Sequence, residues 1–160
     1  MYEDIRKPSF HYLLLGFHLM LLTMWVAWGV AIAIGRVPRG DLWALIFSTL
    51  ITMPWLTYMV MATRHYFVRF DGSKLAFGYN MWNVSFNTME IQYVRETNIK
   101  WLSWGGLGWR IKGLRKIGYI ISSGQGLEVQ TTHKNRNYTF NCENPSALKQ
   151  ALAAAGVTSE

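Results

Sequence analysis

Residues 12–34 and 42–62 run apolar without a single Asp, Glu, Lys or Arg. After residue 62 the pattern changes to short stretches in which apolar and polar positions alternate. Each apolar run has about 20 residues or more. A helix rising ~1.5 Å per residue over that length crosses a ~30 Å hydrocarbon core. The pattern predicts a transmembrane helical hairpin over residues 1–63, with spans at about 12–34 and 42–62. A β domain follows over 64–156, then a tail at 157–160. Arg6 and Lys7 precede the first run as the basic region of a signal peptide would. That run is longer than the ~7–15 apolar residues of a signal peptide, however, and Ile34-Gly35-Arg36-Val37-Pro38 is a poor cleavage site, so the span is read as retained.

Beyond the hairpin, strands are predicted at 66–70, 74–79, 83–86, 90–96, 109–114, 119–122, 127–132 and 137–141. Asp71-Gly72 marks a hairpin turn, and Gly124-Gln125-Gly126 and Lys134-Asn135-Arg136 mark further turns. Period-two alternation puts Leu127, Val129 and Thr131 on one face and Glu128, Gln130 and Thr132 on the other. It likewise groups Tyr138, Phe140 and Cys142. Cys142 therefore reads as a small buried apolar residue rather than a nucleophile. Asn144 is a good N-cap and Pro145 suits the first helical position. Leu148, Leu152 and Ala155 share a stripe, so a helix is predicted over 145–155, ended by Gly156. The expected fold is membrane α plus β: a small curved antiparallel sheet or partly open barrel with one C-terminal helix.

The formal net charge is +7, and six of those seven units fall after residue 63. Beside a membrane anchor, such a balance points to anionic lipid headgroups sooner than to nucleic acid. Arg6, Lys7, Arg64, Arg69 and Lys74 flank the spans on the side of the termini, against Arg36 and Arg39 in the connecting loop. The bias places both termini and the β domain in the cytoplasm. A lone cysteine rules out an intrachain disulfide and agrees with a reducing compartment. The first strand begins a few residues after the second span, so the domain is expected against the bilayer.

Within the spans, His18 is the most polar group of the first helix. It reads as a neutral imidazole bonded to a neighbouring helix, or as part of a redox or proton-handling site. His11, two turns away, is too distant to share a metal with it, and no carboxylate or cysteine accompanies the pair. Trp25, Trp28 and Trp55 lie deep in the spans. They read equally as lipid-facing bulk or as a contact surface for another membrane subunit.

The β domain resembles the bacterial pleckstrin-homology-like (PH-like) family over about 90 residues, and the residues that carry the resemblance run from Trp101 to Leu152. The resemblance rests on Trp104-Gly105-Gly106-Leu107-Gly108-Trp109-Arg110, Gly118-Tyr119-Ile120-Ile121 and Gly124-Gln125-Gly126-Leu127-Glu128-Val129. Tyr138-Thr139-Phe140 and the Asn144-Pro145 helix start complete it. Small membrane proteins of this kind often pair transmembrane helices with such a domain. The resemblance implies a scaffold that binds partners or membranes, and it carries no catalytic residues.

The sequence contains no P-loop, GxGxxG, HExxH, CxxC or EF-hand pattern, and no catalytic residue, metal or cofactor site is assigned. Glu90 and Glu96, read on one strand, are ~20 Å apart at ~3.3 Å per residue and cannot act as a pair. His65 and His133 read as solvated. The most suggestive patch is Trp101, Trp104, Arg110, Lys112, Arg115 and Lys116, where indoles adjoin cations. Trp109, with alternating neighbours, reads as core. No aromatic stacking platform for RNA is present. The leading expectation is a non-catalytic accessory or assembly subunit of the bacterial inner membrane, with two spans. Its hairpin would contact an integral membrane partner, or a second copy of itself, through His18, Trp25, Trp28 and Trp55. The alternative is a self-associating surface module that reads anionic lipid through the basic Trp-rich loop.

Overall fold

The computed structural model describes residues 1–36, 38, 41–132 and 135–159. The predicted turn residues Arg39 and Lys134, and His133, lie outside them. The chain divides into two units. Phe10–Ala62 forms one; Met1–Ser9 joins Thr63–Glu160 in the other. The first nine residues thus group with the strands rather than with the helices.

The helical unit contains α1 (Ser9–Ala33) and α2 (Asp41–Ala62), both long and apolar enough to cross a membrane. α1 ends on Gly35 in the left-handed region (φ 76°), with Gly35 N–H on the Ile32 carbonyl and Arg36 N–H on the Ala31 carbonyl. Glycine adopts that conformation without a Cβ penalty. The half-covered positions of α1 are Leu14, His18, Leu21, Trp25 and Gly29, leading to buried Ile32. Their three- and four-residue spacing makes one stripe. On α2 the matching stripe is Leu45, Ser48, Thr49, Thr52 and Leu56. A Cβ placed on Gly29 would lie 3.7 Å from the Leu45 side chain, so the two stripes meet there. The hydroxyls of α2 are satisfied within the helix: Ser48 and Thr49 donate to the Leu45 carbonyl, and Thr52 donates to that of Ser48.

The β unit has two open sheets, neither closed into a barrel. The first has the order β1 (Tyr2–Arg6), β2 (Tyr66–Phe70), β3 (Lys74–Tyr79), β4 (Asn83–Asn87), all antiparallel. The Asp71 carboxylate accepts from the Ser73 and Lys74 N–H groups, both at 2.8 Å, and builds the β2–β3 turn. The second sheet comprises β5 (Ile91–Ile99), β6 (Gly108–Lys112), β7 (Lys116–Ile120), β8 (Gly124–Thr131), β9 (Arg136–Asn141) and β10 (Thr158–Ser159). Their order is β10-β5-β8-β9-β7-β6. This sheet is mixed rather than antiparallel throughout. β9 returns from β8 and slots between β8 and β7, which makes it parallel to β7. The β7–β8 connection must then pass the end of β9, and the buried Asn141 side chain ties it there by accepting from Ile121 N–H at 2.9 Å.

Gly124-Gln125-Gly126 opens β8 instead of forming a turn. A Cβ on Gly126 would sit 2.4 Å from the Phe140 carbonyl oxygen, so glycine is there for close strand approach. Glu90 lies in a short 3₁₀ turn, accepting from Asn87 N–H at 2.7 Å, and not on a strand face. α3 (Pro145–Ala154) is capped by Asn144, whose side chain accepts from Ala147 N–H at 3.0 Å. Leu148 and Leu152 are fully buried beneath it. Gly156 (φ 91°) ends the helix, and Thr158-Ser159 then pairs with β5 in parallel instead of trailing as a tail.

The two sheets share an aromatic core. Phe77 stacks on Phe140 at 4.0 Å and meets Tyr119 edge-on at 5.5 Å. Two buried tyrosines bridge the sheets by hydrogen bonds, Tyr66 to the Asn141 carbonyl at 2.7 Å and Tyr79 to the Ile120 carbonyl at 2.9 Å. Burial raises both phenols well above the ordinary tyrosine range.

Candidate functional site

The Trp-rich segment begins as a 3₁₀ turn, Trp101–Trp104, and passes through Gly105, left-handed at φ 74°, into β6. β6 is an edge strand, paired only with β7. The ladder opposes Arg110 to Gly118 and Lys112 to Lys116 on one face, and Trp109 to Tyr119 and Ile111 to Ile117 on the other.

On the first face, Trp104 lies directly over Gly118. A Cβ there would come within 2.7 Å of the indole, so only glycine lets the ring rest on the strand. The Lys112 ammonium sits 5.7 Å from the Trp104 ring centroid, a cation–π contact. Arg110 folds back over Gly106, and its Nε is covered without a hydrogen-bond partner among the described residues. Arg110 is therefore half-buried in the packing of the loop, with no carboxylate partner among the described residues. Trp101 stands apart, at the far end of β7, where its N–H donates to Ser123 Oγ at 3.2 Å.

The other face and the tip carry what the alternation concealed. Trp109 is 45 % exposed and not core, because an edge strand is covered on one side only. Ile111 is 59 % exposed and Leu114, in the turn opened by left-handed Gly113, is 95 % exposed. Lys112, Arg115 and Lys116 surround them, all exposed. Among the described residues the ion pairs are Arg6–Asp4, Arg69–Glu3 and Arg95–Glu128, so none of these three cations is paired. The Lys116 charge reaches Glu128 weakly, and that carboxylate already accepts from Arg95 and Asn137. The sequence set thus splits: Trp104, Lys112, Arg115 and Lys116 form one tip region, while Trp101 and Arg110 serve other places. Sequence reasoning missed Ile111 and Leu114, although an Ile-Lys-Gly-Leu-Arg-Lys run between two strands is visible as an amphiphilic turn.

In the helical unit, His18 and Trp25 lie in the stripe facing α2, and His18 Nδ1 is covered with no hydrogen-bond partner among the described residues. Trp28 and Trp55 remain exposed on the outer faces. The four residues therefore do not form one contact surface.

Elsewhere, Cys142 and Asp4 are engaged structurally. Cys142 is buried, and burial pushes its thiol up to about 12. Asp4 is buried between Arg6 and Glu143 N–H. A shallow cleft is lined by Glu96, Thr97, Asn98 and Gln125. No group of three or more His, Cys, Asp or Glu residues suited to a metal occurs among the described residues. Comparison with family models, with curated proteins and with solved structures returned no match.

Proposed function

We propose that this chain is a non-catalytic, membrane-anchored accessory or assembly subunit of the bacterial inner membrane. Its two helices span the bilayer and meet an integral membrane partner, while the β unit is a PH-like interaction module in the cytoplasm. The observation that carries the reading is the helical surface left over once α1 and α2 have paired. Trp28, Trp43, Phe47 and Trp55 stay exposed on the outer faces, with Trp43 beside Phe47 and Trp55 beside Tyr58. Apolar and aromatic side chains exposed in such number require lipid or protein to cover them, and large aromatics are the side chains that anchor interfaces.

The β1–β2 ladder supports the topology independently of charge. Arg6 pairs with Tyr66, so the residues that enter and leave the hairpin lie on the same side, which requires an even number of crossings. The non-catalytic reading is supported by the engagement of Asp4, Glu128 and Cys142 in packing and ion pairs. Affinity purification of the full chain from crosslinked membranes tests the proposal. A second membrane polypeptide, lost on Trp28→Ala with Trp55→Ala, is expected. Recovery of this polypeptide alone as a monomer overturns it. Labelling of Met89→Cys from outside intact cells would overturn the cytoplasmic placement.

A further inference from the structure

We infer that the β6–β7 hairpin tip, Ile111 to Lys116, is a docking wedge for the anionic surface of a lipid bilayer. This rests on the membrane reading above and goes beyond it by giving the β unit its own lipid contact. Three independent features converge on the tip. Its two apolar side chains are left largely uncovered by the fold, Leu114 being 95 % and Ile111 59 % exposed. A leucine at the apex of a turn stabilises a folded chain only if something apolar receives it.

Its charge is uniformly positive and set against itself. Lys112 and Lys116 are directly opposed across the ladder, an arrangement that destabilises a hairpin in isolation. Arg115 adds a third cation between them, and none of the three is paired among the described residues. An external anionic surface turns this repulsion into attraction. The base of the tip is also packed: Gly113 lies in the turn in the left-handed region, and Trp104 lies across Gly118 with Lys112 over its ring. Cations ringing a protruding apolar apex match a bilayer interface, where apolar side chains enter the acyl boundary and Lys and Arg meet the headgroups. A protein partner would have to supply an apolar pocket ringed with carboxylates; that is the competing outcome of the test.

The test uses the full chain in nanodiscs, with an environment-sensitive NBD fluorophore on Leu114→Cys. Cys142 is buried with its thiol pushed up to about 12, so labelling is selective. Met89→Cys is the matched control, since Met89 is also 95 % exposed but stands beside Glu90 in place of cations. Discs are made of phosphatidylcholine with or without phosphatidylglycerol. In a second arm, phosphatidylglycerol vesicles are added to phosphatidylcholine discs, which distinguishes the anchoring bilayer from another one. The expected result is a blue shift at 114 and not at 89, dependent on phosphatidylglycerol and quenched by doxyl lipid. It should weaken at ~1 M salt, where screening acts within ~3 Å. Replacing Lys112, Arg115 and Lys116 by Gln should lower docking on the order of 100-fold, from about fivefold for each cation near an anionic surface. Incorporation into discs with no shift at 114 in either arm overturns this inference and leaves the membrane reading standing. A shift indifferent to phosphatidylglycerol or to the triple substitution overturns the electrostatic wedge. Failure to enter discs at all overturns the membrane reading and this inference with it.

Discussion

Replacing Asp4 by Ala should destabilise the β unit far more than its position near the chain start suggests. The Asp4 side chain is 3 % exposed and accepts from Arg6 Nε at 2.8 Å and from the Glu143 N–H at 2.8 Å. It therefore joins β1 to the segment between β9 and α3. A hydrogen bond to a charged group contributes about 1.5–3 kcal/mol, and a buried donor left unmet costs about 1–3 kcal/mol. Arg6 is 30 % exposed and rehydrates in part, so the combined loss is about 2–3 kcal/mol. For a unit of about 100 residues that lowers the melting midpoint by about 10–15 °C. Cys142 supplies the readout: it is the chain's sole cysteine and is buried in this unit, so its labelling by a thiol reagent during a temperature ramp reports β-unit opening alone. Asp4→Asn, which keeps an acceptor for Glu143 N–H, should fall between Ala and wild type. Glu3→Ala is the control. Its pair with Arg69 is exposed and worth at most about 1 kcal/mol. If Asp4→Ala shifts the labelling midpoint no more than Glu3→Ala, the buried pair does not hold β1 in place.

Other outcomes follow from the same geometry. In the native protein Cys142 should resist thiol reagents at pH 8 and react fully after denaturation; fast native labelling would contradict its burial. Burial acts to raise the Glu128 carboxyl, but hydrogen bonds from Arg95 and Asn137 and the Arg95 charge outweigh it and leave it below its ordinary value of 4.5. Its contribution is complete above about pH 4.5 and is lost as pH falls through the lower folded value. Glu128→Gln should thus flatten the melting midpoint's dependence on acid pH, and an unchanged slope would count against the pair. Gly118→Val should expel Trp104 from the strand, moving its fluorotryptophan NMR signal, identified by Trp104→Phe, toward the solvent position; an unmoved signal would refute the contact.

Much of the fold could be read from alternation because most strands are buried on at least one side. The two long helices, the Asp71-Gly72 turn and the Asn144-Pro145 cap came from local chemistry that nothing distant overrides. β1 could not be read, because its burial runs against polarity: Asp4 points inward to Arg6 and Glu143, while Ile5 is 53 % exposed. Gly126 looked like a turn residue because its role, close approach to Phe140, depends on a strand 14 residues further on. The candidate surface was legible as composition, indoles beside cations, but not as geometry. Strand order shows that β6 is an edge, and only side-chain packing shows that Arg110 folds back on Gly106.

The pairing of β1 with β2 also governs how the protein can be made. The first strand leaves the ribosome some sixty residues ahead of the strand it must join, with both apolar helices between them. Until β2 has emerged, Tyr2–Arg6 lacks the strand it pairs with. Joining Arg6 to Tyr66 closes a loop of about sixty residues, and the entropy of such a closure grows only slowly with its length. A chain in which β1 fails to pair leaves the edge of β2 open, a ready target for proteases and quality control.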